Sequence, residues 1–360
     1  MMKKWTYYLG CLLLLGAATL VTSCSDDTDA TVGETDMLEL VAYSQGMTDF
    51  DLLSTRAIPA GYTEYTGPSS IGVFTTSAEV APASVRTFSY ATDQWKSLVS
   101  VKNHDTYYIY GYMPASSEIQ CTISKRTGMD YSQGAVLTFT DLPPVLSEDF
   151  SVVTGVQQLN TKTDPVNLVP GVFQFTGKQM GSNFACLMLD HLYSCVRFQL
   201  KVDAEYGNLR TIKLKEVSLK TTNEVTYPLV VTMKAGENYT VTWGTATNRT
   251  NDFMTLFTNK EGEQLSATNA KTVDGYFAPF QNIAQNLVVQ CKYDVYGKDK
   301  TGEWVLTRED CVATNKLPAN NAIKYGFNQR TLLTLTVNPT YLYVLSEPDL
   351  DDPTIEVKSE

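Results

Sequence analysis

The stretch V-R-F-Q-L-K-V, residues 196–202, decides the fold class of this chain. Apolar side chains occupy every second position, and polar or charged side chains occupy the positions between them. Because successive side chains of a β-strand point to opposite faces, this alternation predicts a strand with one buried and one solvated face. The stretch L-T-L-T-V-N, residues 333–338, repeats the pattern and stops at Pro339.

Further short strands are predicted along the whole chain, at residues 37–43, 71–74, 107–112, 173–175, 287–289 and 341–345. Turn-forming pairs such as Gly67-Pro68, Pro143-Pro144 and Pro170-Gly171 lie between them. Many short strands without helical crossovers predict an all-β protein of antiparallel β-sandwiches.

The composition supports a folded protein and argues against one class of partner. Of the 360 residues, 43% are hydrophobic and 19% are charged, so the chain can bury a sizeable core. The formal charge of −11 at pH 7 argues against binding to a phosphate backbone. We therefore expect no nucleic acid as a partner.

The first residues predict export. Lys3 and Lys4 precede the apolar run at residues 9–21, and nothing charged follows Lys4 before Asp26. The uncharged stretch of residues 5–25 could just span a bilayer, but the small residues that follow the apolar run fit a secretory signal better. Residues 21–24, Val-Thr-Ser-Cys, resemble a bacterial lipobox, in which the cysteine is acylated and becomes the first residue. The pattern predicts a lipoprotein signal peptide over residues 1–23 and a lipid on Cys24.

Arg56, in the stretch L-L-S-T-R-A-I-P-A-G at residues 52–61, is the only Lys or Arg between Lys4 and Arg86. Residues 24–56 contain eight acidic residues and this single basic one. An isolated loop arginine is usually a solvated charge without a role. The alternative is that a protease cuts, or a partner binds, at Arg56. The residue alone leaves both interpretations open.

Signatures of catalysis are weak. The chain has two histidines: His191, interpreted as structural, and His104, interpreted as solvent-exposed in a polar loop. The pair Asp351-Asp352 could serve glycoside hydrolysis or calcium binding, but its place beside prolines near the chain end favours a solvated turn. We expect no catalytic residue, no cofactor, no metal and no enzyme activity.

Five cysteines follow Cys24: Cys121, Cys186, Cys195, Cys291 and Cys311. Their number is odd, and none forms a Cys-x-x-Cys pair. A disulfide is compatible with export, but buried small side chains are the favoured interpretation.

In their order along the chain, several short motifs resemble the fimbrillin family, the FimA/Mfa-like pilins of type V pili found in Bacteroides-type bacteria. They are the lipobox ending at Cys24, the strand at 37–43, Thr55-Arg56-Ala57, I-G-V-F at 71–74, Trp95, Y-Y-I-Y-G-Y-M-P at 107–114, Asp190-His191-Leu192 before V-R-F at 196–198, and T-I-K-L-K-E-V-S-L at 211–219.

The resemblance implies two transthyretin-like antiparallel β-sandwich domains, at residues 57–185 and 186–360. They would follow the signal peptide and a segment, residues 24–56, that acts as a tether with a cleavable strand. Such pilins reach the outer membrane as lipoproteins and are cut after an arginine by a trypsin-like surface protease. Transferred to this chain, the bond between Arg56 and Ala57 is cleaved.

In such pilins the cut removes a strand, and a strand from a neighbouring subunit fills the groove. Here the resemblance implies displacement of the strand that carries Leu38, Leu40 and Ala42. The implied donor segment carries Tyr341, Tyr343, Leu345, Ile355 and Val357, and an acidic turn at residues 347–353 divides it. The expected partners are other pilin subunits, the protease and, before cleavage, the outer membrane.

The expected function is that of a structural fimbrial subunit that serves adhesion at the cell surface. Two alternatives stay open: an uncut outer-membrane lipoprotein that binds glycan, and an adhesive tip pilin of the same pilus. An anchor subunit fits less well, because such subunits typically lack the arginine.

Overall fold

The computed structural model of the chain describes residues 35–50, 61–82, 84–317, 323–337 and 355–358. In these ranges the chain is built of β-strands, with two short α-helices and one 3-10 turn at Tyr131–Gln133. The described residues belong to one compact unit. No helix among them is long and apolar enough to cross a membrane. The all-β fold predicted from the sequence is confirmed.

The strands of the first half are β1 (Thr35–Met37), β2 (Glu39–Gln45), β3 (Thr48–Phe50), β4 (Tyr62–Glu64), β5 (Ile71–Thr76), β6 (Arg86–Ala91), β7 (Gln94–Lys96), β8 (Ser100–Lys102), β9 (Thr106–Met113), β10 (Cys121–Lys125), β11 (Ala135–Leu142), β12 (Val145–Leu146), β13 (Ser151–Leu159), β14 (Gln174–Thr176) and β15 (Phe184–His191). The second half contains β16 (Ser194–Val202), α1 (Ala204–Leu209), β17 (Arg210–Thr221), β18 (Val225–Thr232), β19 (Thr240–Trp243), β20 (Thr247–Asn248), β21 (Met254–Gln264), β22 (Lys271–Phe277), α2 (Gln281–Ala284), β23 (Leu287–Lys298), β24 (Trp304–Lys316), β25 (Gln329–Val337) and β26 (Ile355–Lys358).

Strand β16 contains the alternating stretch that predicts the fold class. Val196, Phe198 and Leu200 are fully buried, whereas Arg197 and Gln199 are half-buried. One face of the strand therefore faces the core, as the period of two predicts.

A nine-stranded sheet dominates the first half of the described chain, in the order β13-β15-β2-β7-β6-β5-β9-β14, with β4 attached to β2. An additional pairing joins Ser151 and Val152 of β13 to Met113 and Tyr112 of β9. This pairing closes β9, β13, β15, β2, β7, β6 and β5 into a ring. A closed ring leaves few free strand edges, and its interior forms a core.

Three further sheets contain most of the second half. One has the order β12-β22-β16-β25-β26, with β3 also on β25, and a second has the order β21-β17-β23-β24. The third, β10-β11-β18-β19 with β20 on β18, takes strands from both halves of the chain. Residues 136–139 of β11 pair with residues 229–232 of β18 in antiparallel register. The halves thus share a hydrogen-bonded sheet.

Most pairs are antiparallel, as predicted, but three are parallel: β2 with β15, β16 with β25, and β3 with β25. Parallel partners need long connections, so local turn signals carry no information about them. The sequence could therefore predict these strands but not their direction relative to each other.

The described residues form two hydrophobic cores. The smaller lies inside the ring and includes Leu38, Leu40, Trp95, Phe175 and Leu187. The larger contains residues from Phe74 to Val337, including Phe139, Phe150 and Tyr193, whose rings pack edge to face. The predicted boundary between residues 185 and 186 falls inside β15, and the division into domains 57–185 and 186–360 stays a prediction.

Candidate functional site

Strand β2 belongs to the upstream segment that the sequence assigns to the tether, yet it forms part of the ring core. Leu38, just before the strand, is 1% exposed, Leu40 is 3% exposed and Ala42 is fully buried. The two residues between them, Glu39 and Val41, are half-buried. Burial of each leucine stabilises the fold by about 1.5–3 kcal/mol. The three predicted strand residues therefore point together into the ring.

The backbone of β2 closes the ring. On one side it pairs in parallel with β15, from Glu39 opposite Phe184 to Ser44 opposite Leu189. On the other side its second half pairs with β4, and Leu40 pairs with Trp95 of β7. We call the channel that β2 fills, bounded by β15, β4 and β7, the β2 groove. Without β2, the edge of β15 and part of the ring core would be open.

Polar contacts fix the chain just before β2. The carboxylate of Asp36 accepts hydrogen bonds from the Gly181 backbone N–H at 2.7 Å and from Nδ2 of Asn183 at 3.0 Å. Burial alone would raise the pKa of Asp36, but the hydrogen bonds from Asn183, Gly181 and Met37 outweigh it and hold the pKa below its ordinary value. The entry of the segment is thus held in one position.

His191, the last residue of β15, contacts the other end of β2. Its Nε2 bonds to the backbone carbonyl of Gln45 and lies 3.1 Å from Oγ of Ser44. Its Nδ1 lies 2.5 Å from Oδ2 of Asp149 and 3.2 Å from Oγ of Ser151. We call His191, Asp149 and Ser151 the His191 clamp. All three side chains are buried, and they connect the body of the protein to the upstream segment.

The clamp has the residue types of a Ser-His-Asp site but not its proton arrangement. Nδ1 faces a carboxylate and Nε2 faces a carbonyl, so each ring nitrogen has to donate to satisfy its neighbour. A ring that donates at both nitrogens has no lone pair to accept the hydroxyl proton of Ser44. The arrangement is suited to holding a backbone carbonyl.

The charge of the imidazole follows from the same neighbours. Burial alone would lower the pKa of His191, but the carboxylate of Asp149, the carbonyl of Gln45 and the charge of Asp190 outweigh burial and raise the pKa above its ordinary value. Oδ1 of Asp149 is buried and makes no hydrogen bond with the described residues. Because a poorly solvated carboxylate is costly, it favours a charged imidazolium beside it.

The strand after the predicted cleavage site also contacts this region. The hydroxyl of Tyr62 on β4 donates to Oδ1 of Asp190, the neighbour of His191. Burial raises the pKa of Asp190, and the hydrogen bond from Tyr62 and the charge of His191 offset part of that effect. Strand β4 therefore has its own attachment to β15, in addition to its pairing with β2.

Strand β25 presents one edge to two short strands. Residues 329–331 pair with β3 of the upstream segment, and residues 334–337 pair with β26 at the chain end. In β26, the backbone of Ile355 lies opposite Val337 and that of Val357 opposite Leu335. Part of the upstream segment and part of the implied donor segment thus lie side by side on β25.

The predicted site residues divide into two groups. Leu38, Leu40 and Ala42 lie together in the ring core, and the backbone of Ile355 and Val357 lies in β26. The others lie outside the described residues, so their roles stay predictions: Cys24, Arg56, Ala57, Tyr341, Tyr343 and Leu345.

Sequence reasoning assigned His191 a structural part but did not predict its contact with the upstream segment. Ser44 and His191 are 147 positions apart, and no local pattern relates residues at that distance. No sequence pattern pointed to Asp149 or Ser151 as partners of His191 either. Among the described residues, no cluster of His, Cys, Asp or Glu is arranged to hold a metal ion.

No protein-family model matches the sequence, and no curated protein matches it significantly. Among solved structures, the chain is similar to a fimbrial protein from Bacteroides vulgatus, with 13% identity, 82% of this chain and 93% of that chain covered, and a TM-score of 0.32. It is similar to a fimbrial protein from Bacteroides ovatus, with 13% identity, 82% of this chain and 48% of that chain covered, and a TM-score of 0.31. It is also similar to the fimbrial anchor protein Mfa2 from Porphyromonas gingivalis, with 11% identity, 89% and 100% covered, and a TM-score of 0.25.

These neighbours are fimbrial proteins, the class that the sequence resembles. With TM-scores well below 0.5, the similarities carry no weight for the function of this chain. The geometry of the β2 groove has to support any proposal.

Proposed function

We propose that the chain is a structural pilus subunit whose β2 is removed and replaced by a strand of a neighbouring subunit. The observation that carries the proposal is that β2 closes the ring through backbone pairs with β15 and three buried apolar side chains. Any strand with the same alternation could form the same pairs and fill the same pockets, which is how strand addition provides affinity and specificity.

Removal of β2 begins with a cut at the bond between Arg56 and Ala57 by a trypsin-like surface protease. The isolation of Arg56 from other basic residues makes one cut there selective. The upstream segment that leaves would carry β1, β2 and β3 together with the lipid on Cys24. The proposal therefore includes a lipoprotein precursor at the outer membrane and a subunit at the cell surface that starts at Ala57.

The proposed donor is the C-terminal segment of a neighbouring subunit. Tyr341, Tyr343 and Leu345 alternate with the spacing that a strand in the β2 groove requires. Ile355 and Val357 follow the same spacing in β26. A donor and a groove at different places on one molecule make head-to-tail contacts, which do not close and so produce a filament.

The experiment is N-terminal sequencing of the protein recovered from the cell surface. We expect an N-terminus at Ala57 and a high-mass ladder that resists SDS, and we expect Arg56→Ala to abolish both. The matched control is Arg86→Ala, which alters the next arginine, exposed at the start of β6. A surface protein that still carries a lipid on Cys24 would refute the exchange and leave the glycan-binding lipoprotein or an anchor subunit as the explanation.

A further inference from the structure

The buried face of β2 does not by itself define one register. A slip of one residue would turn Leu40 and Ala42 out of the ring, and the alternation rejects it. A slip of two residues would keep an alternating face against the core. It would move every carbonyl by about 6.6 Å along β15, since a strand rises about 3.3 Å per residue. Another contact has to distinguish between the even registers.

The His191 clamp makes such a contact. Nε2 of His191 bonds to the carbonyl of Gln45, at the end of the β2–β15 pairing. After a shift of two residues, the carbonyl of Tyr43 or Met47 would take the place of the Gln45 carbonyl, so this bond holds the strand in any even register. The side chain of Ser44, whose Oγ lies 3.1 Å from Nε2, would be replaced by Ala42 or Gly46, and neither has a hydroxyl to place beside the imidazole. Leu38, Leu40 and Ala42 on the buried face of β2 contact apolar side chains of the ring core, whereas Ser44 on the same face contacts the clamp through its hydroxyl.

The clamp itself is rigidly supported. Oγ of Ser151 donates to Oδ2 of Asp149 at 2.8 Å, and this same oxygen lies 2.5 Å from Nδ1 of His191. Ser151 also pairs with His191 across β13 and β15, so the backbone holds both residues in the sheet. Because a carboxylate fixes one nitrogen, the other nitrogen points at the strand in the groove.

We propose that His191 is a positioning residue that holds the strand in the β2 groove and, through Ser44, fixes the register of β2, and that loss of a proton from its imidazole weakens this hold. For β2 itself the inference needs only the geometry of the uncut chain. Its extension to the strand of a neighbouring subunit rests on the proposed function. A backbone carbonyl is common to all strands, so the clamp can hold the replacement as it holds β2.

Other charged groups face the clamp from several elements. They line or adjoin a cavity of about 310 Å3 beside it: Glu64, Glu148, Asp190, Arg197, Asp274 and Arg330. Arg197 and Asp274 form a two-point ion pair at 2.7 and 2.6 Å, so their charges largely cancel. Tyr65 and Tyr276 also line the cavity, and burial raises the pKa of both. Carboxylates thus outnumber cations around the imidazole.

The sign of the pH dependence follows from the raised pKa of His191. A group whose pKa is higher in the folded state stabilises that state in its protonated form. The hold is complete below the ordinary histidine pKa of about 6.5 and is lost as the pH rises through the higher folded value. Mildly acidic conditions therefore keep the strand in place, and alkaline conditions favour its release.

Hydrogen exchange of the uncut chain, measured at several pH values and corrected for the intrinsic exchange rate, tests the clamp. We expect the protection of the β2 amides to fall by about tenfold as the imidazole deprotonates, in line with the strength of a charge-assisted hydrogen bond. Amides of β23 serve as a monitor of the global fold. In His191→Gln this pH-dependent step in the protection of β2 should disappear, because the glutamine side chain does not titrate. His104→Asn, at the other and exposed histidine, should keep it.

Two results would overturn the clamp: a wild-type chain without the step, or a step that persists in His191→Gln. If the β23 amides of His191→Gln are unprotected, that variant does not fold, and Asp149→Asn tests the clamp in its place. Without the carboxylate the step should move to lower pH, and an unchanged midpoint would contradict the proposal. None of these measurements needs cleavage or assembly. A chain that shows the step but forms no SDS-resistant ladder would refute the pilus and leave the clamp standing.

Discussion

At the level of single residues, the buried face of β2 makes two kinds of contact. Leu38, Leu40 and Ala42 pack into the ring core, whereas Ser44, at the next inward position, meets His191. The alternation of the sequence predicts the three apolar residues. It does not explain Ser44, because the side chain that makes a polar residue suitable there comes from β15.

Leu40→Ala should destabilise the uncut chain by about 2–5 kcal/mol, because it deletes buried methyl groups and leaves a cavity. Leu98→Ala is the matched control: Leu98 is 85% exposed, and we expect a change of at most about 0.5 kcal/mol. Chemical denaturation of both variants measures the free energy of unfolding. Equal stability of Leu40→Ala and Leu98→Ala would mean that β2 does not contribute to the packed fold.

At the level of elements, the sequence predicts strands well and their partners poorly. Strands β5, β9 and β16 coincide with alternating or β-branched stretches that end at turn formers. The parallel partner of β2 is β15, whose residues lie some 145 positions later in the chain. Alternation identifies a face of a strand, but pairing depends on which faces meet in the folded protein. For this reason neither the closure of the ring nor the pairing of β3 and β26 with β25 could be predicted.

Cys186 reports on the presence of β2. It lies in β15 opposite Val41, it is buried, and burial together with the charge of Glu64 raises its pKa to about 12. We expect this thiol to react with a maleimide at least about tenfold faster in the cut monomer that has lost its upstream segment than in the uncut chain.

Peptide mapping of the labelled protein separates Cys186 from the other thiols. Cys291 of β23, fully buried and distant from β2 in the sheet order, is the internal control and should stay slow in both forms. If Cys186 were equally slow with and without the upstream segment, β2 would not be what covers it.

Deletion of the chain after Asn338 tests the donor. The deletion removes β26 from one edge of β25, but β16 still pairs with the other edge over residues 330–337. The truncated chain should therefore fold, with β16 amides protected as in the full-length protein, but it should form no ladder after cleavage. A ladder from the truncated chain would contradict the donor assignment.

At the level of the whole molecule, the pairing of β11 with β18 joins the two halves in one sheet. Hydrophobic patterning predicts how many strands are available and which faces they bury, but it does not show that strands from the two halves share a sheet. The division into two sandwiches rests on the resemblance, and the shared sheet has a consequence for unfolding.

We expect calorimetry of the uncut chain to give one cooperative transition, because the larger core and the shared sheet both contain residues from each half. Leu137→Ala, which removes a fully buried side chain of β11, should lower the protection of β5 and β23 amides together. Two separate transitions, or a loss of protection in β5 alone, would indicate halves that unfold independently.

The shared sheet also has a mechanical meaning. In the proposed pilus, each subunit would be stretched when flow pulls on the attached cell. To separate the two halves, the load would have to break the backbone hydrogen bonds between residues 136–139 and residues 229–232 and expose the larger core to water. In the proposed pilus, the exchanged strand in the β2 groove would face β15 on one side and β4 and β7 on the other, with its buried face in the ring core. Load along such a fibre would therefore act on two kinds of connection, the shared sheet inside each subunit and the exchanged strand between subunits.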